Sequence, residues 1–522
     1  MKKYLLLLLF IATVTVHAQV TFQKTFGGLD LEQCETIQQT SDNGYILGGL
    51  TFNSSLNNFD IYIVKTDSTG NTVWTKTFGN NFSEWGNSVT QTIDGGYVFA
   101  GISQIADTLY NLYLIKIDAN GNNQWTKIMD GIFSEEGMSV QQTNDSGFVI
   151  TGVVTSFGAG LEDFFLVKTN ANGDFLWTKT YGGTSNDLGY SVQQTSDSGY
   201  VISGVADRNG PGNTNVCLIK TDVNGDTLWT RKLGGADIEY GYYVQQTTDG
   251  GYIITGFTNS FGAGGYDVYL IKTDASGYLL WSKTYGGAAS DVGFAVEQTT
   301  DGGYIITGIS QSFGLGENDI YLIRTDSMGD SLWTKRIGGT GPDNGFSVHQ
   351  TSDGGFIIGG YTESFGIGNS DAYLIKTDAY GNSGCNEEPT ATIISIPSTQ
   401  VENSGMTVTS PTPIVNNPTI FVGSVGIENT ICISDGINVI TRDGFDIFPN
   451  PANGKLAIRS VQLPIKAIAI MNVLGEQILA AHLPTSNFLF QFEMDISGLT
   501  PGIYFVKVQS EKGNAVKKLI VQ

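Results

Sequence analysis

The chain is predicted to be all-β, a ring of seven four-stranded sheets followed by a small C-terminal β-sandwich, and three observations point there. Six tryptophans, Trp74, Trp125, Trp177, Trp229, Trp281 and Trp333, recur at intervals of 51, 52, 52, 52 and 52 residues, and a fixed period near fifty residues marks a propeller or a solenoid. Each period holds four short runs of β-branched and aromatic residues separated by Gly, Asp and Asn turns, which is the pattern of a propeller blade. From Phe445 onward the repeat is gone, and strands punctuated by Pro, Asn-Gly and Gly take over. One period before Trp74 lies Phe22 and one after Trp333 lies Cys385, so seven units fit between residues 22 and 384. The fold class is therefore a seven-bladed β-propeller of four-stranded blades with a small β-sandwich after it.

The chain opens with MKKYLLLLLFIATVTVHAQ, a basic tip followed by an apolar run from Tyr4 to about Val16 and small residues before a predicted cut between Ala18 and Gln19. The run is shorter than the roughly twenty apolar residues a membrane span needs. Residues 1–18 thus read as a secretory signal peptide, and no other segment could span a bilayer. The mature chain then starts with TFQKTFGG at residues 21–28, an orphan copy of the strand that carries the tryptophan. At the other end, DAYLIKTD at residues 371–378 has no tryptophan strand after it. With the tryptophan strand outermost in each blade, residues 20–26 are predicted to complete the seventh blade and remove an open sheet edge.

The fifth unit, residues 244–287, shows the elements most clearly. Its first strand ends at Gln-Thr, Asp249-Gly250-Gly251 makes a tight turn, and YIITG is the second strand. After a glycine-rich loop, DVYLIKTD is the third strand, Ala275-Ser276-Gly277 turns the chain, and YLLWSKT is the fourth. Several positions are filled alike in all seven copies, which assigns them to structure. Gln39, Gln91, Gln142, Gln194, Gln246, Gln298 and Gln350 are placed to satisfy backbone groups between blades. Asp42 and its equivalents (Asp94, Asp145, Asp197, Asp249, Asp301 and Asp353) open the first turn, where a carboxylate accepts backbone amides two residues on. Lys65 and its equivalents sit inside the third strand and should be paired with carboxylates. A second acidic column runs through Glu32, Glu84, Glu135, Asp187, Glu239, Asp291 and Asp343. Each indole of the column is expected to cover a neighbouring blade.

These residues, from YGG through Gln-Thr and Asp-Gly-Gly-Tyr to Asp-x-x-Gly and Trp, resemble the bacterial seven-bladed β-propeller repeat family over residues 20–384. YLIKTDASGYLLW is also similar to the tryptophan-docking motif of quinoprotein-type propellers, which implies shared blade packing and carries over no quinone.

Prolines mark the next boundary: Pro211 and Pro342 precede residue 385, five lie between Pro389 and Pro418, and five more follow from Pro449. Residues 385–440, rich in Pro, Thr and Ser, read as a linker or a short β segment. Cys385 and Cys432 bracket 46 residues of it, and an oxidising compartment would allow them to pair. Cys34 and Cys217 replace Gly and Tyr of other repeats and read as incidental. Residues 441–522 form the last domain. Here Pro449-Asn450-Pro451, Gly502-Ile503-Tyr504 and the terminal Lys517-Lys518-Leu519-Ile520 resemble the type IX secretion system C-terminal sorting domain, with Asn472 where that family often has Asp. The resemblance implies engagement of the type IX machinery, passage through the periplasm and across the outer membrane, and removal of the domain there.

Fifty acidic against 27 basic residues leave a net charge of −23, which repels phosphate backbones and excludes nucleic acid as a partner. The reading that follows is a secreted or cell-surface propeller serving as a non-catalytic binding or structural module, with polysaccharide or a surface protein as ligand. The alternative is a glycan-active hydrolase or lyase with its site at the channel mouth. Such a site needs residues that break the sevenfold pattern, and His349, replacing the usual Gln before Gln350, is one. Trp85 stands outside the tryptophan column, in the loop entering the second blade. Phe157, Phe261, Phe313 and Phe365 recur in SFGAG, SFGLG and SFGIG loops on one face; they either tuck under the loop or stack on a ligand. No catalytic residue and no cofactor is predicted. Calcium at DVNGD (222–226) or DSMGD (326–330) competes with a plain hairpin turn, since these segments lack the full oxygen-ligand spacing of a calcium loop.

Overall fold

The computed structural model describes residues 19–106, 109–131, 134–207, 213–403, 406–418, 420–434, 446–448, 450–460, 465–472, 477–482, 490–510 and 513–521. The signal peptide with Ala18, the motif residue Pro449, and residues 435–445 around the last predicted boundary lie outside the described residues. Two compact units emerge, one of Thr21–Ile433 and one containing Ser434–Gln522.

The first unit is the ring. In the fifth blade the four strands are Glu239–Gln246, Tyr252–Thr258, Asp267–Thr273 and Leu279–Gly286, each antiparallel to the next. The third strand is buried along its whole length, because it lies mid-sheet with another blade against each face; that is why DVYLIKT is apolar without alternation. Inner strands pack side by side round the circle until Asp343–Gln350 meets Glu32–Gln39. Closure follows the sequence expectation: Thr21–Gly27 pairs with Asp371–Thr377, with Phe22 opposite Lys376 and Phe26 opposite Ala372.

The core lies between blades. Ile46, Ile61 and Phe78 of the first blade, for example, pack on Val89, Phe99 and Ile115 of the second. Each periodic indole meets a Tyr or Phe of the following blade edge-on, with centroids 5.8–6.2 Å apart, and Phe22 meets Tyr45 in the same way at 6.2 Å. The hairpin glycine of the next blade completes the seat. Gly329 holds φ at 75°, and a Cβ there would come within 2.8 Å of the Trp281 ring. Glycine thus serves twice, for its positive φ and for its missing side chain.

The tryptophan strand is not the outermost. Residues 387–434 run round the ring against chain order and lay a fifth strand on every blade. Glu387–Pro389 pairs with Ser331–Ile337, Ile393–Ser395 with Leu279–Gly286, and Gln400–Asn403 with Thr227–Gly234. Thr407–Thr409, Ile414–Asn416 and Phe421–Gly423 follow on Phe175–Gly182, Asn123–Asp130 and Thr72–Gly79, and Ile427–Ser434 lies beside Thr21–Gly27. The seven sheets are thus five-stranded. A disulfide between Cys385 and Cys432 buckles this belt into a covalent loop. Near the buckle, the buried Lys24 pairs with Glu428 at 2.5 Å, and Glu428 also accepts the Thr72 amide at 2.7 Å. Burial alone would raise the Glu428 pKa; its bonds to Lys24 and Thr72 outweigh that and hold it low.

The second unit has a three-stranded sheet, Asp446–Phe448, Lys455–Ser460 and Phe490–Asp495, and a four-stranded sheet of Gln477–His482, Ile465–Met471, Gly502–Ser510 and Gly513–Val521. Leu456, Ile458 and Met494 from the first share a core with Ile468, Val506 and Leu519 from the second. Two sheets with one core make the small sandwich predicted.

Candidate functional site

The positions shared by all copies build a frame. The side-chain carbonyl of each column glutamine accepts the backbone amide of the preceding blade's turn at 2.8–2.9 Å, and the circle ends with Ser352 donating to Gln39. The seven turn aspartates pair with the seven third-strand cations at 2.6–3.0 Å, Asp42 with Lys65 through Asp353 with Lys376. In Asp42, Asp94, Asp145, Asp197, Asp249 and Asp301, partial burial raises the pKa, and the bonds to threonine, cation and glycine amide more than reverse it. The second acidic column opens the inner strands, buried, and accepts backbone amides at 2.7–3.0 Å. Burial pushes Glu84 up to about 8, Glu135 to about 7 and Asp187 to about 6.

Individuality sits along the channel. Serine and threonine hydroxyls, among them Thr36, Ser88, Ser139 and Ser191, line a cavity of about 220 Å³, and Tyr243 stands where another blade has serine. His349 faces this space. Its Nδ1 is 2.8 Å from the Oε2 of Glu297, which also accepts the Gln350 amide at 3.2 Å. Burial would lower the histidine pKa, but the glutamate beside it raises it on balance. In other blades a glutamine does the same job, as when Gln245 accepts from Gln298 at 2.6 Å. The acid and the histidine are therefore both a break in the pattern and a replacement for a structural bond.

A larger break lies where the inner strands begin. Every inner strand carries a bulge at the same place, so that in the fifth blade Tyr242 has no partner between the Gly241–Gly256 and Tyr243–Thr255 pairs. The bulged residues are Glu35, Asn87, Met138, Tyr190, Tyr242, Phe294 and Phe346. A bulge re-aims its side chain out of the ladder. Here the four consecutive rings touch round the circle, Tyr190–Tyr242 at 5.1 Å, Tyr242–Phe294 at 5.3 Å and Phe294–Phe346 at 5.1 Å. Tyr240, stacked on Phe257 at 4.9 Å, and Tyr361, 5.8 Å from Phe346, extend the arc. On the remaining blades the bulged residues are Glu35, Asn87 and Met138, and burial pushes Glu35 up to about 7.

The residues singled out in the sequence are scattered. Trp85 lies in the strand Glu84–Gln91, not in the loop before it, because Glu84 already pairs with Ser103; its half-buried indole contacts Phe59 at 6.0 Å and Tyr110 at 5.7 Å. Phe261, Phe313 and Phe365 are half-buried against Tyr269, Tyr321 and Tyr373 at 6.2, 5.7 and 5.9 Å, and Phe157 packs beside the core of blades two and three. Asp222 and Asp326 spend an oxygen on their own turns, while Asp226 and Asp330 pair with Lys179 and Lys283. Among the described residues no group of three or more His, Cys, Asp or Glu side chains is arranged to hold a metal. The bulge column was missed in the sequence, although one position, four before the fixed glutamine, reads E, N, M, Y, Y, F, F.

In the C-terminal unit the predicted motifs meet at the last strand. Asn450 accepts the Ile520 amide at 2.9 Å and donates to the Lys518 carbonyl at 2.7 Å. Tyr504 is buried in the core, with its hydroxyl on the Thr500 carbonyl at 3.0 Å. Lys517 and Lys518 pair with Val506 and Phe505 in the ladder. Residues 446–522 match the family described as the secretion system C-terminal sorting domain. The chain ends in a type IX secretion sorting domain. This sorting domain engages the type IX machinery, which exports the protein to the cell surface or beyond it. No helix among the described residues is long and apolar enough to cross a membrane.

Other likenesses are looser. The regulatory protein FlaEY of Caulobacter vibrioides is 26% identical over 190 residues, which cover 33% of this chain and 20% of that protein. Sqt1 from Chaetomium thermophilum superposes with a TM-score of 0.38 at 12% identity, covering 64% of this chain and 81% of its own. PorZ, a surface component of the type IX secretion system of Porphyromonas gingivalis, also gives 0.38, at 9% identity over 95% of this chain and 60% of its own. Superpositions this loose carry no functional inference to the ring.

Proposed function

We propose that the mature protein is a non-catalytic binding module of the cell surface, with a ligand, a polysaccharide or a surface protein, held at the aromatic mouth of the channel. One observation carries this reading: the frame is repeated seven times, yet the bulge column that rings the mouth differs from blade to blade and sets four aromatic rings in a row. Rings that served only the fold would recur with the frame. A second reading, a glycan-active hydrolase or lyase, draws on the Glu297–His349 pair in the channel, since an acid beside a histidine suits proton transfer.

An array of polysaccharides and peptides run beside a turnover screen on the same compounds separates the two. Retention on the array that is lost in Tyr242→Ala, without product release, supports the binding module. Product that disappears in Glu297→Gln establishes the enzyme instead.

A further inference from the structure

The chemistry of the mouth narrows the ligand. Aromatic faces carry negative quadrupole charge, and a cation within about 6 Å of a ring centroid is worth roughly 0.5–2 kcal/mol, more as water is excluded. Carboxylates stand near both ends of the arc. At one end, burial first and then the neighbouring phenols Tyr242 and Tyr240 and the carboxylates Glu162 and Glu136 raise the pKa of Tyr190. At the other, burial, Glu363 and Glu35 raise that of Tyr361. The cation–π contacts among the described residues lie elsewhere, on Phe22, Trp229, Tyr278 and Trp333. Lys232 donates to the Asp207 carbonyl. A concave aromatic surface flanked by acid, on a chain of charge −23, is complementary to a positive group on a slender apolar stem. The hydroxyl-lined channel below it is narrow, about 220 Å³, so a side chain enters where a folded domain does not.

We propose that the mouth captures a basic peptide segment, with a lysine ammonium or arginine guanidinium held over Tyr242, Phe294 and Phe346 and flanked by Glu35 and Glu136. This deepens, and rests on, the reading of the ring as a binding module. A neutral sugar would use the same ring faces and could donate hydroxyls to the carboxylates, but it brings no charge to pair with them.

The test is calorimetric titration of the mature protein with acetyl-tetralysine amide and with a neutral glucose hexasaccharide at about 150 mM salt, where surface charges are largely screened beyond about 8 Å. One-site binding of the peptide is expected, weakened about tenfold by Tyr242→Ala and by the isosteric Glu136→Gln, equivalent to about 1.4 kcal/mol each. The exposed belt variant Glu388→Gln should leave affinity unchanged. Peptide binding that Glu388→Gln weakens as much as Glu136→Gln overturns the proposal, because any surface acid would then serve. Binding of neither probe also overturns it. Hexasaccharide binding that is lost in Tyr242→Ala, with no peptide binding, removes the basic ligand and leaves the binding module standing. Turnover of the hexasaccharide removes the module itself.

Discussion

Removing the buckle of the belt gives the most quantitative prediction. The bridge joins positions 47 residues apart, and the chain-entropy relation for a loop of that size gives about 4 kcal/mol at room temperature. The unit it serves, Thr21–Ile433, has 413 residues. At an unfolding entropy of about 2.1 cal/mol/K per residue, that unit loses roughly 0.9 kcal/mol of stability per degree near its midpoint, so the melting temperature should fall by about 5 °C. The loss should also be local. Most belt strands have only three or four residues, and strands so short are held by the edges they lie on, so an unbuckled belt peels from its ends. Scanning calorimetry of Cys432→Ser against the oxidised parent measures the first effect, and amide exchange over residues 387–433 the second. The free thiols Cys34 and Cys217 are buried, and burial raises their pKa, so reductant should act through the bridge alone. An unchanged melting temperature together with unchanged belt protection would refute this account of the belt.

Three further outcomes are expected. Trp281→Ala, which empties the seat between Tyr304 and Gly329, should cost about 3–5 kcal/mol in a denaturant titration; a cost below about 1 kcal/mol would mean the indole is not a packing element. Because burial raises the pKa of Glu84 to about 8, Glu135 to about 7 and Asp187 to about 6, their contribution is present in full below the unfolded carboxyl value and lost as pH rises through those folded values. Each group can contribute up to about 1.4 kcal/mol per pH unit. The turn aspartates have lowered pKa values, so their contribution fades only in stronger acid; melting temperatures across pH should thus peak near 4–5 and decline toward 8, and a rise over that range contradicts the assignment. Chelator should leave the melting temperature unchanged, since Asp226 and Asp330 already pair with lysines; a drop would revive calcium at those turns.

The frame was legible because repetition amplifies weak local signals. A lone Asp before glycines is any turn, but seven with a lysine or, in one copy, an arginine 22 or 23 residues on announce the pairs seen between Asp249 and Lys272 and their equivalents. The closing strand was legible for the same reason, as a displaced copy. The belt was not: segments such as Thr407–Thr409 have no hydrophobic period of their own and become strands by pairing with Phe175–Gly182, far away in sequence. Trp85 misled because an aromatic away from the column reads as exposed, whereas cross-strand neighbours cover it. The bulge column escaped because variation among copies looks like relaxed constraint until the ladder shows all seven positions aimed at one opening.

The central claim is that the mouth binds without turning its ligand over. The most direct measurement is retention and product release on the same immobilised compounds, by the parent and by Tyr242→Ala with Phe294→Ala. The account predicts a retained ligand from the parent, none from the double variant, and no product from either. Retention that survives the loss of both rings, or product from the parent, would contradict it.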